Sequence, residues 1–304
     1  ARDAGRNYAQ TKRAWSELLL GLRQNHPKAF DENPYSQKLF NKGNFAELDR
    51  LSDQLNKSRA ADWDGVWKLD HLCGSIEGGS RSGSDWHEQR VYDLKKWLVK
   101  NPKSQLARTT LAQVLIYKAW DHKQSDSSEE NKKFSPLMKS AVQVLNADPQ
   151  LKTNYPRAIN PYIREFYIET PDRVKEEVLK FSEEWSKRWP TYVCADTYSM
   201  KFLSTNWYGE SDDVRKYIEK RSNTVGGANG DKLYAQLTWC RFDDAEDVSF
   251  EGSDAYSWKR VKAGFAHILK EFPNEMEARI AYLQMALSTD DEEAIKHVFD
   301  GMKK

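Results

Sequence analysis

Cysteine is scarce in this chain. Cys73, Cys194 and Cys240 are its only three in 304 residues. They lie far apart and are odd in number, which argues against a disulfide framework and a CxxC metal site, though one pair could still bridge. Long apolar runs are missing too: none approaches the roughly 20 residues that a membrane-spanning helix needs. The expectation is a soluble chain. Charge of one sign is not in excess, with 47 Lys plus Arg against 46 Asp plus Glu and a formal net charge of +1. The two signs are mixed along the chain, which removes the long-range attraction that nucleic acid or an anionic membrane would require. Catalytic signatures are absent as well. There is no dinucleotide fingerprint and no HExxH, and the glycines of "NTVGGANGD" lack the Lys and Ser/Thr of a phosphate-binding loop. No cofactor and no metal are expected. The chain starts at Ala1 without an initiator Met or a leader, which reads as a trimmed or a mature exported chain; periplasmic or secreted is the expectation.

What the sequence does have is tryptophan, eleven of them, most at helical spacing from other apolar residues and so suited to wedging between helices. It also has a repeated ending. "KKWLVKNP", "AVQVLNADP", "EEWSKRWP" and "AHILKEFP" each close an amphipathic run with a proline, at Pro102, Pro149, Pro190 and Pro273. The intervals are 47, 41 and 83 residues, so the last conceals one further unit. That unit ends in "NTVGGANG", where glycines replace proline as the helix stop.

A new helical pattern follows each stop. "SQLARTTLAQVLIYKAW" sets Leu106, Leu111 and Leu115 beside Ala107, Ala112 and Ala119, an apolar stripe with room for a close neighbour. "DKLYAQLTWC" and "MEARIAYLQMAL" read alike. "NKGNFAELDRLSDQL" adds a unit near the start and "STDDEEAIKHVFDGM" one at the end, both with acids in the first helical turn, where they complement the helix dipole. In "KFLSTNWYGESDDVRKY" the pattern predicts a hairpin turn. A helix ends near Asn206, Gly209 takes a positive φ, Ser211 caps, Asp212 and Asp213 fill the first turn, and Val214, Tyr217 and Ile218 form the buried stripe. The whole predicts an all-α fold, one elongated domain over 1–304 of about six antiparallel helical pairs. Two insertions interrupt it, a Gly/Ser-rich loop at 74–86 and a polar lengthening at 121–133.

These pairs resemble tetratricopeptide repeats. "STDDEEAIKHVFDGM" is similar to the second-helix consensus, with Ala294 at its small-residue position. "NPKSQLARTTLAQVL" resembles the junction into a first helix, with Pro102 at the stop and Leu111 and Ala112 at the paired large and small positions. The usual Trp opening the first helix is missing, and the spacing exceeds the usual 34 residues. The order "GNFAELDRLSDQL", "LARTTLAQVLIYKAW", "NWYGESDDV" is also similar to an uncharacterised bacterial family of repeat-like proteins with no established activity. The resemblance implies a right-handed solenoid whose first helices line a concave face.

In that register Thr109, Gln113, Ile116 and Tyr117 from one unit and Thr197, Tyr198 and Lys201 from another point into the groove. The set is mixed polar and aromatic, suited to an extended protein or peptide segment. Trp207 and Tyr208 cover the hairpin end or offer a stacking platform. A non-catalytic binding scaffold is the leading expectation. The alternatives are a structural subunit of a larger assembly and a hydrolase-type enzyme at the 74–86 loop. Asp62, Asp64, Asp70, His71, Cys73, His87 and Glu88 crowd near that loop, and Cys73 with His87 would be the nucleophile and base. The structural reading of the same stretch puts Trp63, Trp67 and Asp70 on one helix face.

Overall fold

A computed structural model describes residues 34–78, 84–123, 133–164, 171–243, 248–252 and 255–302. Of the two insertions, 79–83 and 124–132 lie outside the described residues. The described chain is all-α, with fifteen α-helices and one 3-10 turn; its one extended pairing is an isolated bridge between Ala61 and Trp67. No described helix is long and apolar enough to cross a membrane. The chain divides into two compact units, Phe30–Val214 and a second that contains Arg215–Lys304.

The first unit holds α1 (Pro34–Asn41), α2 (Phe45–Ser58), α3 (Lys68–Glu77), α4 (Ser84–Lys100), α5 (Gln105–Lys123), α6 (Phe134–Asn146), α7 (Leu151–Asn154), the 3-10 turn Pro156–Ala158, α8 (Ile159–Ile163), α9 (Pro171–Arg188) and α10 (Val193–Phe202). After them come α11 (Asp213–Val225), α12 (Gly227–Asp243), α13 (Trp258–Glu271), α14 (Met276–Ser288) and α15 (Glu292–Met302). Neighbours in sequence pack on one another: α4 on α5, α5 on α6, α9 on α10, α12 on α13 and α14 on α15.

All four proline stops end helices. α4, α6, α9 and α13 finish two or three residues before Pro102, Pro149, Pro190 and Pro273. A proline disfavours the helical conformation in the residue before it. The chain accordingly closes with one more helical hydrogen bond, such as Asn101 N–H to the Trp97 carbonyl at 2.8 Å and Phe272 N–H to that of Ile268 at 2.8 Å. At the concealed unit Gly226 does this work. Its φ of 72° places its N–H on the Ser222 carbonyl at 2.9 Å, and α12 restarts at once.

Helix α5 departs from the expected single stripe. Leu106, Ala107, Leu111, Ala112, Leu115 and Ala119 are buried as the spacing predicts, but so are Thr109, Thr110, Gln113, Val114 and Ile116. The reason is its central place: α2, α3, α4, α6 and α8 all pack against it. Tryptophans fill the gaps around it. Trp97 stacks on Phe45 with centroids 4.8 Å apart, and Trp67 meets Tyr192 edge-on at 5.1 Å.

Two local predictions are corrected. Trp63 is not on a helix face with Trp67 and Asp70, because residues 62–65 form a tight turn and α3 starts only at Lys68. Asp64 drives this by accepting the Val66 N–H at 3.0 Å, an Asx-type bond that competes with helix. Both tryptophans are nevertheless buried. In the hairpin stretch, α10 ends at Phe202 rather than near Asn206. Gly209 is required by close approach and not by a positive φ, since a Cβ there would lie 1.8 Å from the Leu203 carbonyl oxygen. Asp213, not Ser211, organises the start of α11, its carboxylate accepting the Glu210 N–H at 2.7 Å.

In the second unit Asp291 ties three elements together. It caps α15 through the Ala294 N–H at 3.0 Å and accepts from Trp258 Nε1 at 2.7 Å and from Lys262 Nζ at 2.8 Å. Burial opposes its charge, but these bonds, led by that of Lys262, hold the carboxyl at about 2 against a usual 3.8. A carboxylate with a lowered pKa stabilises the fold above its usual value and loses that contribution as pH falls through the folded one. Asp291→Asn keeps a capping oxygen but removes the charge facing Lys262, and should therefore cost about 0.5–1 kcal/mol at neutral pH. The deficit should shrink between pH 4 and pH 2, read by hydrogen exchange of amides in 258–302.

Candidate functional site

Three helical segments of the first unit carry polar residues at matching intervals on otherwise apolar faces. On α3 these are Asp70 and Glu77; on α5, Thr110, Gln113 and Tyr117; on the 3-10 turn, α8 and the residue that caps it, Arg157, Asn160 and Arg164. Spacings of three, four and seven residues keep each set on one side of its helix. Since α5 packs against both α3 and α8, the sets converge.

Arg157 is the centre of the convergence. Its Nη2 donates to both Glu77 oxygens, at 2.9 and 2.7 Å, and its Nε lies 3.4 Å from Asp70 Oδ1. The Tyr192 hydroxyl donates to that same oxygen at 2.6 Å. All three charged side chains are nearly inaccessible, at 5%, 1% and 4% exposure for Arg157, Glu77 and Asp70. Burial pushes both carboxyls above their usual range against the pull of Arg157. Burial also works against the guanidinium, but Glu77 and Asp70 overcome it and hold Arg157 charged. Next to them Tyr155 shares a hydrogen bond with Ser52 at 2.9 Å and contacts the Cys73 sulfur at 3.7 Å.

Outward from this base lies Arg164, whose guanidinium sits over two tyrosine rings, 5.5 Å from Tyr117 and 5.3 Å from Tyr198. Each contact is a cation–π interaction. His87 stacks on Tyr117 at 6.1 Å and bonds through Nδ1 to Asp121 at 2.5 Å. Burial and the neighbouring Glu77 raise the Tyr117 hydroxyl's pKa, so it remains a hydrogen-bonding phenol.

The residues expected in the groove divide by depth. Thr109, Gln113 and Ile116 are fully covered; Tyr117, Thr197, Tyr198, Trp207 and Tyr208 are half-buried; Lys201 is exposed. Tyr117 and Tyr198 are brought together through Arg164. Trp207 meets Trp120, one turn beyond Tyr117, at 6.0 Å, and Tyr208 stacks on Phe202 at 6.0 Å. Sequence reasoning missed Arg157, Arg164 and Glu77. Their signal was present in "PRAINPYIR" and "DHLCGSIE", where charges seven residues apart sit on apolar segments too short to spare them to solvent.

The reactive residues near the 74–86 loop go to separate partners. His71 bonds Asp62 at 2.7 Å, His87 bonds Asp121, and Cys73 contacts Tyr155. All three cysteines are free thiols, and burial pushes that of Cys73 up to about 12, far from the thiolate a nucleophile needs. Among the described residues no group of three His, Cys, Asp or Glu could hold a metal ion.

A cleft of about 550 Å³ opens elsewhere on this unit, lined by residues that include Asp49, Asp53, Lys103, Arg108 and Asp148. Its central carboxylate has structural work. Asp49 accepts from Ser104 Oγ at 2.5 Å, Asn101 Nδ2 at 2.6 Å and Trp97 Nε1 at 3.2 Å, joining α2 to the α4–α5 turn.

Thiol titration checks the reading of the cysteines. In the folded protein Cys240, the half-buried one, should react first with a disulfide reagent, and Cys73 and Cys194 should react only on unfolding. Rapid modification of Cys73 in the native state would contradict the burial described above.

In comparisons with known proteins, no family model, no curated protein and no solved structure matches this chain.

Proposed function

We propose that the chain is a non-catalytic helical-repeat scaffold that binds a protein or peptide segment, built of antiparallel helical pairs in a right-handed solenoid resembling tetratricopeptide repeats. The observation that carries this reading is the half-buried Tyr117–Arg164–Tyr198 stack beside Thr197 and exposed Lys201. Amphipathic rings and cationic heads at partial exposure suit an extended segment. The rings supply contact area at low entropic cost, and the cations and hydroxyls pair with backbone carbonyls and acidic side chains. At its base Arg157, Glu77 and Asp70 join two of the segments that carry or support the stack. A nearly balanced charge favours such a partner over nucleic acid. The high pKa of the Cys73 thiol gives the hydrolase alternative no activated nucleophile.

The test is affinity capture from the native source by the full chain, compared with a Tyr198→Ala/Lys201→Ala variant that leaves the buried base intact. The expected outcome is one or a few proteins retained by the wild type and weakened at least tenfold in the variant. A retained set identical in both would remove this face as the binding surface. Turnover abolished by changing a single polar residue would remove the scaffold reading itself.

A further inference from the structure

The link between α2 and α3 folds back on itself. The Lys68 N–H closes it on the Ala60 carbonyl at 2.9 Å, and nearer the tip the Asp62 N–H donates to the Val66 carbonyl, also at 2.9 Å. Gly65, at a φ of 83°, lets the tip turn. Residues 60–68 thus form a small hairpin that supplies backbone hydrogen bonds of its own and does not borrow them from a neighbour. At its root Trp67 reaches across to the start of α10, its Nε1 donating to the Thr191 carbonyl at 3.3 Å. Near the tip the hairpin is joined to α3 by His71, whose Nε2 lies 2.7 Å from Asp62 Oδ2.

His71 lies among carboxylates. Asp62 and Asp64 face it from the hairpin and Asp70 from α3. Cations reach the group through those carboxylates, Lys68 acting on Asp62 and Arg157, from the 3-10 turn, on Asp70. The imidazole is 18% exposed and the Asp62 carboxylate 37%, so protons exchange with solvent. We infer that residues 60–67 are a pH-operated clasp, shut on α3 while His71 is charged and loosened when His71 loses its proton. This goes beyond the proposed scaffold and does not rest on it. A neutral ring still has one N–H for Asp62, but it no longer offsets the carboxylates around it, and Asp62 is left facing Asp64. The directions of the shifts agree with the geometry. The Asp62 bond, opposed by burial, raises His71 above its usual 6.5, and the same bond lowers Asp62 below 3.8. A raised histidine stabilises the closed form below its usual value and ceases to do so as pH rises through the folded one. The lowered aspartate stabilises it above its usual value and fails only in stronger acid. The clasp is therefore shut at mildly acidic pH and loosens towards alkaline pH, releasing the hold of Trp67 on Thr191.

The experiment is amide hydrogen exchange of the full chain from about pH 5.5 to about pH 8.5, each rate divided by the intrinsic rate at the same pH. The amides of Asp62, Val66 and Lys68, which close the hairpin, should lose protection by about threefold to fivefold across that range, the effect of an ion pair at partial exposure. Amides of Leu111 to Leu115 inside α5 should hold theirs. His71→Gln keeps a donor without the charge, so its hairpin protection should sit at the alkaline wild-type level at every pH. Asp62→Asn should flatten the profile in the same way from the more exposed side of the pair, and it stands in if the glutamine disturbs packing. The inference is overturned by wild-type hairpin protection that does not change with pH, by a pH dependence that survives both substitutions, or by an equal loss in α5, which would be a change of global stability.

Discussion

A guanidinium taken out of water must be compensated where it lies, and Arg157 is compensated from α3. The requirement is stringent, because losing a partner leaves an isolated charge in a medium that cannot solvate it. The pairing to Glu77 and Asp70 therefore fixes the distance and register between α3 and the 3-10 turn, two elements eighty residues apart by the Arg157–Glu77 bond. Tyr192, bonded to Asp70, brings the start of α10 to the same point. Helix α5 runs through the middle and is buried from Leu106 to Ile116 except at Arg108. Apolar packing is non-directional, whereas these bonds join α3, the 3-10 turn and the start of α10 at particular atoms.

The candidate site inherits its geometry from that centre. Arg157 and Arg164 share a face of the same short segment, so anchoring the first positions the second between Tyr117 and Tyr198. Depth separates the two roles. The inner charges are paired and nearly inaccessible, while the outer rings and Lys201 meet solvent. Under the proposed scaffold function, a partner would be gripped at the outer layer without disturbing the inner one. The second unit is held by different means, with Phe265 stacked on Tyr282 at 4.8 Å and Arg260 bonded to Asp231 and Asn223 across α11, α12 and α13.

Helix existence was legible wherever a local signal decides it. The prolines at 102, 149, 190 and 273 and the glycine at 226 act through their own backbones, and each ends a helix as read. Position in the core was less legible. The stripe of α5 was found, but the burial of Thr109, Thr110, Gln113, Val114 and Ile116 beyond it depends on five neighbours that no local pattern reveals. Trp63 was misplaced because helical spacing was read through a turn that Asp64 and Gly65 set. Gly209 was assigned a conformation when its need is for space beside Leu203, a contact that exists only after the hairpin has closed. At the candidate site, composition and register pointed to Tyr117 and Tyr198, and the structure brings both rings onto Arg164. They did not point to Arg157, Arg164 and Glu77, because a buried charge resembles a surface one until its partner is known.

The most direct measurement is urea unfolding of Arg157→Met, alone and with Glu77→Gln and Asp70→Asn together. If the ionic centre organises the first unit, the single change should cost about 3–5 kcal/mol by stranding two buried carboxylates, and the triple change should recover most of the loss. A single change that is nearly neutral, or a triple no more stable than the single, would contradict the account.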